Sequence, residues 1–589
     1  MENFLSRTRQ FKFGKLPHKH EINTAISSFS KKEWVIFLIF FGLLVLSTLG
    51  ILQTINKSFM VSIPTYGGSI TEGIVGTPRF VNPILATSPA DQDMVALIYS
   101  GLMRKNADGT ITPDLAEKYA VSKDGLEYTF TLKDDATFQD GTAVTADDVI
   151  FTITSAKDPI IKSSQKINWD GVSVEKIDEK TIKFNLKQPF ASFLKNTTLG
   201  ILPMHVWQNS PIELHEGNTD PIGSGPYLVS NINKQSSGTI DSYELTAFKK
   251  FALGEPYIKN INVNFYQNEK DLTEALSGGT VDQISSITPG SALELSKKDY
   301  TIDQAVLPRV FGLYFNQNQN QLFIDKAVVK AIDQAIDKDR IIREVLAGYG
   351  VAIDNPIPPN MVEYQKLSTL SETSRAETLE KISADLAKAG WTKNAEGFLE
   401  KTTTDSKKKK TTVPLTFSIS TSNAPELSKA ADLISEDLRS IGMNVDVKTF
   451  DIGNLNQSVI RPRKYDALLF GQIVNHESDL YAFWHSSQRK DPGLNIAMYT
   501  SAKVDKILED AFSITDRDAR IKKYLQFEDE VRKDMPAVFL YSPKFIYVVS
   551  PKIHSATLDH ITTPSDRFAN IYSWYINTDQ VWKIFVPTL

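Results

Sequence analysis

From Trp34 to Leu52 the chain reads WVIFLIFFGLLVLSTLGIL, nineteen positions without a charge. A helix rising about 1.5 Å per residue needs roughly 20 apolar residues to cross a bilayer core about 30 Å thick. No other stretch of the chain is as long and as apolar, so residues 34–52 are expected to form a transmembrane anchor. Lys31 and Lys32 flank it on one side and Lys57 on the other. The 33 residues before it carry seven Lys and Arg against three acids, which places them in the cytoplasm and the rest of the chain outside. A cleaved secretory signal is the competing reading. Its apolar core would exceed the usual ~7–15 residues, and no small-x-small site follows Leu52 except a poor one at Ser58–Ser62. An uncleaved single-pass anchor is therefore expected, with residues 1–33 as a cytoplasmic tail and 53–66 as a connector.

Beyond Gly67 the apolar spacing changes from element to element. Ile70–Gly76 reads as a strand and turn. Ser88-Pro89 reads as a helix start, with a capping hydroxyl and a proline at the first helical position. Val95, Ile98 and Leu102 then share one helical face. Tyr128–Leu132 and Lys180–Leu186 alternate as half-buried strands do. Between them, Asp140-Gly141 predicts a turn, and Thr145-Ala-Asp-Asp148 predicts a capping box before Val149-Ile150-Phe151. Further strands are expected at 227–231, 242–248 and 261–266, with Gly225-Pro226 marking a crossing between two sub-domains. Helices follow at 326–336, 338–347 and 374–389. From Val413 the pattern is strand, helix, strand through Phe450, with Leu427, Ala430, Ile434, Leu438 and Ile441 on one stripe. Helices at 504–514 and 517–533 and a strand at 537–549 precede an aromatic-rich segment. Lys407–Lys410 is expected to be a solvated hairpin tip rather than a nucleic-acid or lipid patch.

Composition narrows the classes. Apolar residues at 41% and charged residues at 23% suit a folded body with a real core. A net charge of −5 argues against nucleic-acid binding. The absence of cysteine excludes disulfides, thiolate metal sites, thiol nucleophiles and a cysteine-borne lipid, which leaves the apolar helix as the evident tether. Eight histidines are scattered without an HExxH pair, and no GxSxG elbow or P-loop occurs. An enzyme is not expected, and no cofactor or metal is implied.

Four stretches carry a family resemblance: RFVNPILATSPADQDMVALIYSGLM, ITPDLAEKYAVSKDGLEYTFTLKDDATFQDGTAVTADDVIFTI, PIGSGPYLV and YDALLFGQIVNHESDLYAFWHSSQ. In this order they resemble the extracellular solute-binding proteins of family 5, which includes the peptide- and nickel-binding subunits of ABC importers. Asp140–Val149 is the most specific block. The resemblance implies a two-lobed α/β fold of the periplasmic-binding-protein type. Lobe I would be 67–305 with a sub-domain near 105–205, lobe II 306–544, and 545–589 a return to lobe I. It also implies a ligand held between the lobes, most readily an oligopeptide, delivered by a monomeric, membrane-anchored subunit to a permease and ATPase. A surface-anchored ligand sensor and a binder of another solute such as a metal chelate are the alternatives.

By the same resemblance the ligand segment is 470–484. Asn475 stands where the peptide binders carry an aspartate that clamps the ligand α-amine, and Gln472 stands where tryptophan is common. Glu477 and Asp479 match an Asp-Pro-Asp pattern, and Tyr481 and Trp484 are candidate aromatic platforms, Trp484 with a core role as the commoner alternative. Phe80 and Asn82 are candidates on the opposite wall. Asp140 and Asp148 are expected to be turn and cap residues, not catalytic carboxylates.

Overall fold

The structure is a computed structural model that describes residues 19–190, 192–359, 361, 374–404, 410–514 and 516–586. It divides into two compact units: the described residues up to Thr65 with those from Thr578 onward, and Tyr66–Asn577.

In the first unit the apolar stretch lies within a 29-residue helix, Lys31–Phe59. Ser30 and Glu33 cap its start reciprocally, Glu33 N–H donating to Ser30 Oγ and Ser30 N–H to Glu33 Oε2. None of its residues is buried. The helix runs seven residues past Leu52, because Gln53–Phe59 holds no glycine or proline to stop it. Met60–Thr65 is a strand paired with Asn577–Trp582 in a two-stranded sheet. The expected connector is thus half helix and half strand. Within this unit Trp582 Nε1 donates to Asn56 Oδ1 at 2.8 Å, and its ring lies 6.4 Å from that of Phe59. Lys19–Ser27, in the tail, is a short helix.

The second unit is built on one large mixed sheet. On one side, Ser69–Val75 pairs in parallel with Asn260–Tyr266 and Gln283–Ser285, and Ile240–Ala247 and Tyr227–Lys234 extend the sheet antiparallel. On the other side, Asn444–Phe450, Thr416–Ser422 and Ala467–Ile473 run parallel. The helix Pro425–Ser440 connects the first pair and buries Ala430, Ile434 and Leu438 from the expected stripe, while Gly442 ends it at φ +95°. Ala537–Val548 joins the two sides. Its first residues pair with Arg309–Phe315 and its last with Ile302–Val306 and Gln283–Ser285. The apolar core divides at the same places. Residues 70–307 and 545–574 supply two buried clusters, and residues 310–541 supply two others.

A separate four-stranded antiparallel sheet is made by Ala116–Val121, Glu127–Leu132, Thr181–Leu186 and Val172–Lys176. Asp148 caps the helix Ala146–Lys157 from its third residue and also accepts from Met204 N–H at 2.8 Å. Asp140 accepts from Thr142 N–H at 2.9 Å in its turn and meets His205 at 2.7 Å. Leu102 departs from the expected helical face. The helix Pro89–Ile98 ends before it, although Leu102 is itself buried. The expected tip at Lys407–Lys410 lies mostly outside the described residues, between the antiparallel strands Leu399–Thr404 and Lys410–Pro414.

The glycines of PIGSGPYLV bring backbone onto backbone. Gly225 N–H donates to Ile98 C=O at 2.8 Å. A Cβ on Gly223 would lie 2.1 Å from that oxygen. Gly223→Ala is expected to destabilise the protein by about 1–3 kcal/mol, because the obstacle is main chain and cannot rotate away. Thermal unfolding checks this against Ser224→Ala, whose hydroxyl meets no hydrogen-bonding group among the described residues and which should leave the midpoint unchanged.

Candidate ligand-binding cleft

A cleft of about 1230 Å³ opens in the second unit, above the roughly 300–1,000 Å³ of common small-molecule sites. One wall comes from the helix Pro89–Ile98, the hairpin around Lys105–Ile111, the short helix Phe193–Asn196 and the segment Thr562–Asp566. The facing wall comes from Asn475–Glu477 and from Arg517, Arg520 and Ile521 at the start of the helix Arg517–Asp534. Pro308 lines it where the chain passes between the two core regions.

The first wall is held by directed bonds. Asp566 accepts from Thr562 N–H at 2.8 Å and Thr563 N–H at 3.2 Å, and pairs with Lys105 Nζ at 2.6 Å. The next residue, Arg567, is fully buried and uses all five of its donors. They go to Glu72, Asp93 and the Pro564 carbonyl at 2.7–3.1 Å. Tyr547 donates to the other Glu72 oxygen at 2.9 Å. Burial raises the Glu72 carboxyl to about 7 against the pull of Arg567, and raises Asp93 for the same reason. The segment that lines the cleft is therefore pinned to the first strand and first helix of the unit.

Three polar groups on the lining are buried and meet no protein partner among the described residues: Asn475 Oδ1, His476 Nδ1 and the Tyr99 hydroxyl. Leaving such a group unpaired costs about 1–3 kcal/mol, so a partner brought in through the cleft would be favoured. Burial pushes the His476 imidazole down, opposed by the charge of Asp479. Lys195 also lines the cleft, and burial lowers its ammonium while the charge of Glu477 opposes this. No carboxylate lies within ion-pairing distance of it among the described residues, so it offers a cation to an anionic or carbonyl group.

Of the residues proposed from sequence, Asn475 and Glu477 lie on the cleft. Glu477 is committed to Arg520 at 2.8 Å, with both side chains about 13% exposed, and is not a free anion. Asp479 turns back to accept His476 N–H at 2.9 Å at the start of the helix Asp479–Trp484 and does not line the cleft. Gln472 is buried on the strand Ala467–Ile473, opposite Val310. Tyr481 stacks on His485 at 4.2 Å, also off the lining. Trp484 is 1% exposed and packs among Tyr314, Tyr499, Phe527 and Phe539 with centroids 5.8–6.3 Å away, which makes it a core residue. Asn82 is buried and accepts from Ile84 N–H within a turn, and the half-buried Phe80 sits beneath the Arg79 guanidinium. Pro83 and Ala86, their neighbours, reach the cleft instead. Tyr99, Lys105, Lys195 and Arg520 were not legible as site residues, because an isolated cation or tyrosine on a loop or helix end has no local pattern that separates it from solvated surface.

This architecture has known relatives. Residues 110–492 match the family described as bacterial extracellular solute-binding proteins, family 5, middle region, and the chain belongs to that family. Its members are substrate-binding proteins of ABC importers rather than enzymes. The chain is 29% identical over 524 residues to the oligopeptide-binding protein AppA of Bacillus subtilis (strain 168), covering 87% of this chain and 92% of that one. The structure of AppA from Bacillus subtilis in complex with a nonapeptide matches with a TM-score of 0.63 at 27% identity, over 87% of this chain and 100% of that one. NikZ from Campylobacter jejuni in complex with Ni(L-His) matches with a TM-score of 0.64 at 25% identity, over 86% and 99%.

Proposed function

We propose that this protein is a membrane-anchored, extracytoplasmic subunit that captures oligopeptides and hands them to an ABC permease and its ATPase. The observation that carries this is the large cleft, one wall pinned through the Arg567 cluster and the facing wall carrying the unpaired polar atoms of Asn475 and His476. The similarity to a nonapeptide-binding protein supports the ligand class. We place the hinge at 306–309 and 541–544, where the core divides, with 67–305 and 545–577 as one lobe and 306–544 as the other. Ligand would favour the closed form through its greater affinity for it. The helix Lys31–Phe59 would span the membrane with its basic side in the cytoplasm, and the protein would act as a monomer.

Mass spectrometry of ligand released from the purified full chain tests the substrate class, together with calorimetry using short peptides. Peptides should co-purify; failure of any peptide to bind at millimolar concentration would sink it. Asn475→Ala removes an acceptor without emptying a packed core site. It is expected to weaken peptide binding about tenfold, the order of one hydrogen bond to a charged group, with no change in melting midpoint. Unchanged affinity would remove Asn475 from the site.

A metal-chelate reading is favoured by one observation, a buried nitrogen of the cleft-lining His476 that meets no protein partner among the described residues. Among the described residues no three His, Cys, Asp or Glu side chains cluster to hold a bare ion, so metal would have to arrive with its own chelator. Metal analysis of the same purified protein separates this reading from the first.

A further inference from the structure

The segment after the strand Asn577–Trp582 leaves its apolar side chains uncovered. Ile584 is 76% exposed, Phe585 72% and Trp582 44%, with Lys583 among them. Phe59, at the end of the long helix, is 56% exposed beside Trp582. Large apolar groups crowded in this way mark a contact surface.

Their position along the helix indicates the partner. The apolar run ends at Leu52, and Asn56, which holds the Trp582 indole, follows four residues later. At about 1.5 Å per residue that is roughly 6 Å beyond the hydrocarbon edge. The headgroup layer of a bilayer is about 5–8 Å deep on each side. Tryptophan favours this layer because its body is apolar and its N–H is polar, and lysine reaches from it into water. Gln580 Nε2 also donates to Ser62 Oγ on the strand that follows the helix, so the segment is tied once to the helix, through Trp582, and once to that strand.

We infer that Trp582, Ile584 and Phe585 form a second membrane contact, seated in the interfacial layer of the leaflet where the helix emerges. The occupant of this apolar patch is the lipid surface, because Trp582 packs against Asn56 and Phe59 at the end of a helix that itself enters the bilayer. This rests on the anchor reading proposed above.

The chain has no cysteine, so single nitroxide labels can be placed at will. Labels at Leu43→Cys, Asp579→Cys and Phe585→Cys would be read in the full chain, reconstituted in phosphatidylglycerol–phosphatidylethanolamine vesicles. The readout is relative collision with oxygen and with a water-soluble nickel chelate. The label at 43 should be the deepest. The oxygen-to-nickel ratio at 585 should be several-fold above that at 579 and below that at 43. A deep label at 43 with 585 as open to nickel as 579 would overturn the second contact and leave the anchor standing. A label at 585 shielded from both probes would overturn it in favour of protein packing. A label at 43 open to nickel would overturn the anchor reading and the second contact together.

Discussion

Replacing Arg567 with alanine is expected to lower the unfolding free energy by about 3–5 kcal/mol, the scale of breaking a buried ion cluster by removing one partner. Glu72 and Asp93 would be left buried together in the core, with no other ion-pair partner among the described residues. The loss should also loosen the Thr562–Asp566 wall and so reduce ligand affinity. The cluster carries a pH signature of its own. Glu72 titrates near 7 in the folded protein against 4.5 otherwise, with burial as the main cause. A carboxyl whose folded value is raised binds its proton more tightly in the folded state. Its contribution to stability is complete below about 4.5 and is lost as pH rises through about 7. Chemical denaturation between these limits should show that decline in the native protein and a weaker one in Glu72→Gln. An Arg567→Ala protein as stable as the native one would mean that the cluster does not hold the segment.

Trp484→Ala is expected to cost a similar amount, about 3–5 kcal/mol, by opening a cavity where a fully buried indole meets four aromatic neighbours. Trp484→Phe keeps most of that volume. It should recover much of the stability and bind ligand with native affinity, since the ring does not reach the cleft lining. If Trp484→Phe kept its melting midpoint but lost ligand, the tryptophan would be a binding platform after all. Thermal unfolding and calorimetry on the two variants separate these outcomes.

The local signals read from sequence were those whose physics is local. Ser88-Pro89 and Thr145–Asp148 start helices because a side-chain oxygen within three residues satisfies a free N–H. The alternation at Glu127–Leu132 fixes which residues enter the core. The parallel strand–helix–strand at 416–450 followed from a change of period. What escaped depends on distance along the chain. The apolar run stops at Leu52 while the helix runs on to Phe59, because hydropathy marks the span and not the end of a helix that has no glycine or proline to stop it. Asn475 of the expected ligand segment lines the cleft, but which side chains of that segment face inward depends on the turn at His476–Asp479. The cations at Lys195 and Arg520 stand 325 positions apart and share the cleft only through the fold.

The pairing of Met60–Thr65 with Asn577–Trp582 bears on how the protein is made. Trp582 and Asn56 are 526 residues apart, so the first strand leaves the ribosome long before its partner exists. At about 5–20 residues per second, it waits on the order of half a minute or more as an unpaired strand edge close to the apolar helix. An open edge invites pairing with other chains. A chain cut short before residue 577 would never close it, even with its binding cleft fully folded. Completion of this small sheet is thus a late step that depends on the last part of the described chain, however early the cleft itself folds.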